Sequence, residues 1–445
     1  MKRFLVCAGL LAVPVWGQAD LSLPDAVRIA LEKHPSLEAG AERVLAARRR
    51  IEQARSGWLP RLNYTESWAR SNNPVFVFSS LLTQRQFTER NFQIGPLNRP
   101  DFLNNFQSLL TVDQLIYDFG QLKGQTRSAE LGRSLAEEDR RRMEMQVIAG
   151  VVRAYLSNIL AAEALQVARE AVKSAEADLR RAETVRAAGM ATDADVLSIR
   201  VHLAAMREQE IRGQADVQVA AAALNEALGL PLETPHRLTT PLTAAALAVK
   251  AVAEREQTAF AGRPEIRQAR LATQLAEAQR ATARAALLPQ LSFRTALEAD
   301  RQNFVTKGGA NWLVAASLRW NLFNGFETRA RIDEAGHAAK SAAAQERQVK
   351  AGVALEIRKG EADLQAASER IAVAEAAVAM AEESLRITRH RYEAGLATVT
   401  DLLRNETALL EARMRRLAAV HDQRMAAVVL ELVSGVLTRD SEVLR

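Results

Sequence analysis

Through residues 118–229 and again through 324–435, apolar positions recur at alternating steps of three and four. Ile148, Val152, Tyr155, Ile159 and Ala162 step by 4, 3, 4 and 3, while Leu165, Val172, Leu179 and Leu403, Leu410, Leu417 step by seven. This is the seam of a coiled coil, and abundant alanine permits close helix approach. Charges of both signs, such as Glu361, Asp363, Glu369 and Arg370, fill the remaining positions as on a solvated face. None of the 12 prolines falls between Asp101 and Leu230 or beyond Pro289, and proline is what breaks helix interiors. Alanine, glutamate, arginine, leucine and glutamine dominate these runs and favour helix. The pattern predicts helices of about 70 residues over Asp118–Ala187 and Asn324–Ala394, on the order of 100 Å at 1.5 Å per residue. Each is followed by a turn at Gly189 or Gly395 and a returning helix, with Thr192 and Thr398 placed to cap it.

Two other windows follow period two. Leu291, Phe293, Thr295 and Leu297 alternate with Gln290, Ser292, Arg294 and Glu298. After a turn at Lys307-Gly308-Gly309, the residues Trp312, Val314, Ala316, Leu318, Trp320 and Leu322 share one face, opposite Ser317, Arg319 and Asn321. In the first window Leu62, Tyr64 and Trp68 alternate after Pro60, but Glu66 shares their face, and Phe106, Leu110 and Val112 form a return strand with Ser108 in line. Each window reads as a hairpin, about 60–117 and about 289–323. Eleven of the 22 aromatic residues fall in Trp58–Phe119 and six in Phe293–Phe326. Strands of about 10 residues with aromatics near their ends are those of a transmembrane β-hairpin.

Composition and charge exclude more than they add. Met1–Ala19, with Lys2 and Arg3 ahead of an apolar stretch and Gly17-Gln18-Ala19 at its end, reads as a secretory signal peptide. The single cysteine, Cys7, lies within it; the rest of the chain has no cysteine for a disulfide or a thiolate metal site. Without Lys2 and Arg3 the balance is 57 against 53, a net of +4. With that charge spread along the chain, no nucleic-acid partner is expected. The six histidines make no i, i+4 pair, and there is no phosphate-binding glycine loop or nucleophile elbow. No enzyme activity, cofactor or metal is expected. No later stretch has about 18 uninterrupted apolar residues, so a membrane role would require a barrel.

The chain carries one plan twice. His34-Pro35-Ser36-Leu37 matches Arg263-Pro264-Glu265-Ile266, and Leu59-Pro60 matches Leu288-Pro289, both at an offset of 229. Ile116-Tyr117-Asp118 matches Leu322-Phe323-Asn324, and Ala188-Gly189-Met190-Ala191-Thr192 matches Ala394-Gly395-Leu396-Ala397-Thr398, both at 206. The first hairpin therefore holds 229 − 206 = 23 extra residues between about Ser71 and Asn105. The expected domains are the signal peptide at 1–19, a first repeat at 20–235 and a second at 236–445. Four strands cannot close a barrel, and open edges in lipid leave backbone groups unpaired. Two copies would give 8 strands with a filled interior; three give 12 and a pore. A homotrimer follows from that arithmetic.

In this order, the Leu-Pro entries, the Tyr117-Asp118-Phe119-Gly120 and Phe323-Asn324-Gly325 strand exits and the duplicated Ala-Gly-x-Ala-Thr turns resemble the outer-membrane efflux protein (TolC) family. The resemblance covers essentially the whole chain after the leader. It implies a mixed fold of α-helix and transmembrane β-strand: a long α-helical coiled-coil barrel continued by a trimeric 12-stranded β-barrel, with two internal repeats. It implies a passive outer-membrane exit duct of a tripartite efflux pump or type I secretion system, reaching into the periplasm. The implied partners are a periplasmic adaptor, an inner-membrane transporter of RND, ABC or MFS type, and outer-membrane lipid. A periplasmic coiled-coil adaptor or scaffold is the alternative, although an adaptor would have one helical hairpin flanked by β-domains.

The resemblance also places the adaptor contact at the periplasmic turns, Gly189, Ala191, Thr192, Gly395, Ala397 and Thr398. It implies an acidic closed end just before the second turn, whereas Glu382, Glu383, Arg386, Arg389, His390 and Arg391 are mostly basic. Arg386 or Arg389 could line a pore constriction that favours anionic cargo, or could pair with Glu183, Glu382 or Glu393. The sequence does not name the cargo.

Overall fold

The structure is a computed structural model that describes residues 19–245, 251–306 and 308–444. The expected leader, apart from Ala19, and Lys307 of the expected turn lie outside the described residues. The described residues form two compact units: those within 1–42, 138–267 and 347–445, and those within 43–137 and 268–346.

The elements follow the duplicated order. Helices α1 (Leu23–Lys33) and α2 (Pro35–Arg55) precede strands β2 (Arg61–Ser71) and β3 (Leu103–Tyr117), then α5 (Gln121–Ala187) and α6 (Asp193–Leu228). In the second half α7 (Val252–Gly262) and α8 (Pro264–Ala285) precede β5 (Gln290–Arg301) and β6 (Gly309–Arg319), then α9 (Glu327–Glu393) and α10 (Val399–Val433). Helices α5 and α9 are 67 residues each, close to the expected length. Between β2 and β3 lie α3 (Pro74–Thr83) and α4 (Ile94–Asn98), two helices that the period-two reading of this window did not anticipate. Strands β1 (Ala19–Leu21) and β4 (His236–Leu238) form a short parallel pair, also unforeseen; three residues are too few to display a period.

The unit containing residues 138–267 holds the main core. Ile148, Val151, Val152, Tyr155 and Leu156 of α5 pack with Leu23, Val27, Leu224, Leu228, Ala427 and Val428. α5 is apolar enough in part to cross a bilayer by length and composition, and 44% of that stretch is buried inside the protein. Tyr155, completely buried, shows why an aromatic stands in this alanine-rich run. Its hydroxyl donates to the Leu21 carbonyl at 2.8 Å and accepts from the Thr240 amide at 3.1 Å. The other two aromatics outside the leader and hairpins behave alike. Phe260 packs on Ile266, Val353 and Ile357, and Tyr392 on a cluster of Ala182, Val196, Ile199 and Val399.

The other unit is built on a four-stranded antiparallel sheet in the order β2-β3-β5-β6. Its register sorts the side chains into two faces, because directly paired residues point the same way. One face carries Leu62, Tyr64 and Trp68 of β2, Phe106, Leu110 and Val112 of β3, Phe293 and Leu297 of β5, and Trp312, Val314 and Leu318 of β6. Trp312 is 76% exposed and Trp68 60%, so this apolar face has no protein cover among the described residues. The opposite face carries Asn63 and Ser67, Gln107 and Thr111, Ser292 and Arg294, Asn311 and Ser317. Aromatics gather at both ends of the apolar face: Trp68, Phe106 and Phe304 at one, with ring centroids 6.4 and 5.9 Å apart, and Tyr117 with Phe119 at the other, 4.7 Å apart. This placement matches the pattern of a membrane sheet with two aromatic girdles.

Glu66, the exception on the apolar face, is neutralised in place. Arg301 donates to it at 2.8 Å, Tyr64 donates at 2.6 Å, and Ser108 bonds to it as well. Both strand-to-helix exits use left-handed backbone, at Phe119 (φ 55°) with Gly120 (φ 103°) and at Gly325 (φ 66°) with Phe326 (φ 67°). The preceding Asp118 and Asn324 accept from the first helical amides, Asp118 from Leu122 at 2.5 Å and Asn324 from Thr328 at 3.3 Å. This explains the paired Asp/Asn positions in the duplicated motif.

Candidate functional site

The two helical turns are built alike. At the first, the Gly189 amide donates to Arg186 O at 2.8 Å and the Met190 amide to Val185 O at 3.0 Å. At the second, Gly395 donates to Tyr392 O at 3.0 Å and Leu396 to Arg391 O at 2.7 Å. Gly189 and Gly395 have φ of 77° and 72°, the left-handed geometry that ends a helix and favours glycine. The chain then re-enters a helix through a reciprocal capping box. Thr192 Oγ1 accepts from the Asp195 amide at 3.2 Å, and Asp195 Oδ2 accepts from the Thr192 amide at 3.0 Å. Thr398 and Asp401 repeat this at 3.2 and 3.2 Å. The hydrogen bond from the Thr398 hydroxyl, with that from its amide, holds the Asp401 carboxyl below its usual range.

Ala191 and Ala397 are half-buried behind the turns, and Thr192 and Thr398 are exposed. Met190 and Leu396, the variable position of the Ala-Gly-x-Ala-Thr motif, are 76% and 68% exposed. Sequence reasoning passed over them, although an apolar residue at the same place in both turns was the available signal. The tips thus present a glycine, an exposed apolar side chain and a capped helix start.

Behind the tips lies a polar cluster drawn from four helices. Arg389 of α9 donates through Nη2 to Glu406 Oε1 of α10 at 2.9 Å, to Ser174 Oγ of α5 at 2.9 Å, and lies 3.3 Å from Asp178 Oδ2 of α5. His202 Nε2 of α6 is 3.2 Å from Glu406 Oε2. Arg181 approaches the far oxygen of Asp178 at 3.3 Å and Glu393 at 3.0 Å. Asp178 and Glu406 are nearly inaccessible. Burial, then the hydrogen bond and charge of Glu406, push Asp178 up to about 7 against the pull of Arg389 and Arg181. Burial also opposes ionisation of Glu406, but bonds from His202, Asp178 and Ser174 outweigh it and hold its carboxyl at about 2. The pair therefore shares one proton near neutral pH, with Glu406 as the ionised partner. A cavity of about 260 Å³ adjoins the cluster, lined by Ser174, His202, Met206, Arg389, Glu406 and Arg413 among others.

The two basic residues expected near a pore differ in placement. Arg386 is exposed and pairs with Glu383 of its own helix at 2.7 Å. Arg389 is held between helices, by Asp178 and Glu406 rather than by Glu183, Glu382 or Glu393. Glu382 instead takes Arg413 at 2.8 Å, and Glu183 takes Arg200 at 2.7 Å. Among the described residues no group of three or more His, Cys, Asp or Glu is placed to hold a metal ion.

A sheet with one membrane-type face, joined in sequence to two long helical hairpins with matched glycine tips, is the arrangement of an outer-membrane channel protein. The same fold occurs in the crystal structure of CusC, with a TM-score of 0.79 at 19% identity over 95% of both chains. Residues 26–230 and 256–436 match the family described as outer membrane efflux protein, and the chain belongs to that family. The protein CyaE of Bordetella pertussis is 27% identical over 440 residues, covering 95% of this chain and 85% of the relative. The alkaline protease secretion protein AprF of Pseudomonas aeruginosa is 25% identical over 424 residues, covering 94% and 85%. The protein is therefore an outer-membrane exit duct of the efflux and secretion class, a family of channels rather than enzymes. The adaptor alternative is set aside by family membership and by the membrane-type sheet.

Proposed function

We propose that three copies of this chain close a 12-stranded barrel in the outer membrane and continue it as a helical tunnel into the periplasm. The observation that carries this reading is the four-stranded sheet whose apolar face is uncovered and whose edges, β2 and β6, are unpaired among the described residues. An unpaired edge in lipid costs several kcal/mol per backbone group, and four strands are too few to close. Pairing β2 of one copy with β6 of the next removes every edge. At 12 strands the polar face lines a lumen rather than a packed core.

At the tips, Gly189, Ala191, Thr192, Gly395, Ala397 and Thr398 form the adaptor-binding surface, with Met190 and Leu396 as its apolar anchors. The matched exposure of those two side chains supports this, since a helical hairpin of an adaptor needs apolar contact. An inner-membrane transporter delivers the cargo, and the duct itself is passive. Arg386, exposed and bonded to Glu383 of its own helix, is the residue assigned to the pore constriction; Arg389 sets the helix packing behind it. The name of AprF, an alkaline protease secretion protein, supports a protein cargo.

The assembly is tested by mass measurement of the detergent-solubilised full-length chain, which should give three chains. A monomer that stays soluble in buffer without detergent would overturn it. Reversing the charge of Arg386 should shift the ion selectivity of single channels toward cations. Unchanged selectivity removes Arg386 from the constriction.

A further inference from the structure

The 23 residues by which the first hairpin exceeds the second do not form a simple longer turn. They fold as α3, a 3-10 turn at Glu89–Phe92 and α4. This segment has a small core of its own, in which Phe87 packs edge-on against Phe78 and Phe92 at 4.9 and 5.1 Å. One stripe at helical spacing, Val77, Ser80 and Gln84, is 7%, 4% and 2% exposed. Beneath it the sheet residues Leu103, Asn105 and Asp300 are equally buried. By strand register all three belong to the polar face, at the end of the sheet away from the exits to α5 and α9.

The attachment is specific. Gln84 Nε2 donates to Asn104 O at 2.9 Å and to Asn105 Oδ1 at 2.8 Å, and Asn105 Nδ2 donates to Asp300 Oδ1 at 2.7 Å. Arg85, in left-handed backbone at φ 58°, donates to the Ala310 carbonyl at 2.9 Å. The segment is thus pinned to β3, β5 and β6. A methyl group on Gly309 would come within 1.8 Å of the Thr83 carbonyl, so the close approach requires glycine there.

We propose that this segment is a cap seated on the lumen side of the outer mouth, which narrows the exit and keeps large external solutes out of the duct. The inference rests on the barrel reading, because only in a closed barrel does the polar face line a lumen. Three copies then place three caps around one opening. Among the described residues the turn of the second hairpin holds no helix, so the restriction is assigned to the inserted residues.

The test uses whole cells producing the full chain with Thr111→Cys on the polar face below the cap. External labelling is compared for a small maleimide and for one carrying a polyethylene glycol chain. In the wild-type background the small reagent should react and the large one should lag far behind. In a Gln84→Ala/Arg85→Ala variant, and in one whose residues 74–100 are replaced by a copy of 302–308, the large reagent should approach the rate of the small one. If the replacement does not assemble, the double substitution decides alone. If the large reagent labels the wild-type background as fast as the variants, the cap is overturned and the barrel stands. If the small reagent fails to reach Thr111→Cys in every background, the barrel reading falls and the cap with it.

Discussion

Single residues account for the geometry of the tips and for one pH dependence. Gly189 and Gly395 sit in open space, where an added methyl would meet nothing within 4 Å. Gly395→Ala should therefore cost only the backbone strain, about 1 kcal/mol, read as faster amide exchange confined to the second tip. Thr398→Ala should cost a similar amount, about 1 kcal/mol, through loss of the capping box. Asp178 behaves differently because its proton is held more tightly in the folded chain, at about 7 against 3.8. Its contribution to stability is complete below its unfolded value and is lost as pH rises through about 7. Glu406 has the opposite sign, but its contribution is lost only as pH falls from 4.5 toward about 2. Thermal melting should therefore fall between about pH 4 and pH 7 in the wild-type chain, and Asp178→Asn should flatten that slope. An unchanged slope would show that Asp178 does not hold the proton.

At the scale of elements, the hairpins and long helices were legible because periodicity and proline placement mark them directly. The expected helix from residue 118 begins at Gln121, and the expected tip glycines and capping threonines stand where the motif put them. The clusters that join distant elements were not legible. Ser174 and Glu406, or Asn105 and Asp300, are bonded across 232 and 195 residues of sequence, and no local period records such a pairing. The insertion was countable from the change of offset, but its folded form depended on contacts with β3, β5 and β6. Two element-scale outcomes follow. Tyr155→Phe should lower stability by about 1–3 kcal/mol in thermal or chemical unfolding, because it strands the Leu21 carbonyl and Thr240 amide. Val314→Arg, on the apolar face, should reduce membrane assembly by about 2–4 kcal/mol if that face meets the bilayer interior. Full tolerance there would mean that β6 faces water.

For the whole molecule, the two sheet edges are the decisive feature, since the described residues leave them unpaired. In the proposed trimer the same arithmetic closes three copies into one barrel and turns the polar sheet face into a lumen. The one cysteine of the sequence is Cys7, within the expected leader, so introduced cysteines report edge pairing with little background. The most direct measurement places one cysteine at Asn63 of β2 and scans a second along the polar positions of β6 from Asn311 to Ser317. Oxidation in outer membranes should yield a covalent ladder that stops at three chains for the positions in register. Monomers at every position, or a ladder that stops at two or continues past three, would contradict the closed 12-stranded barrel.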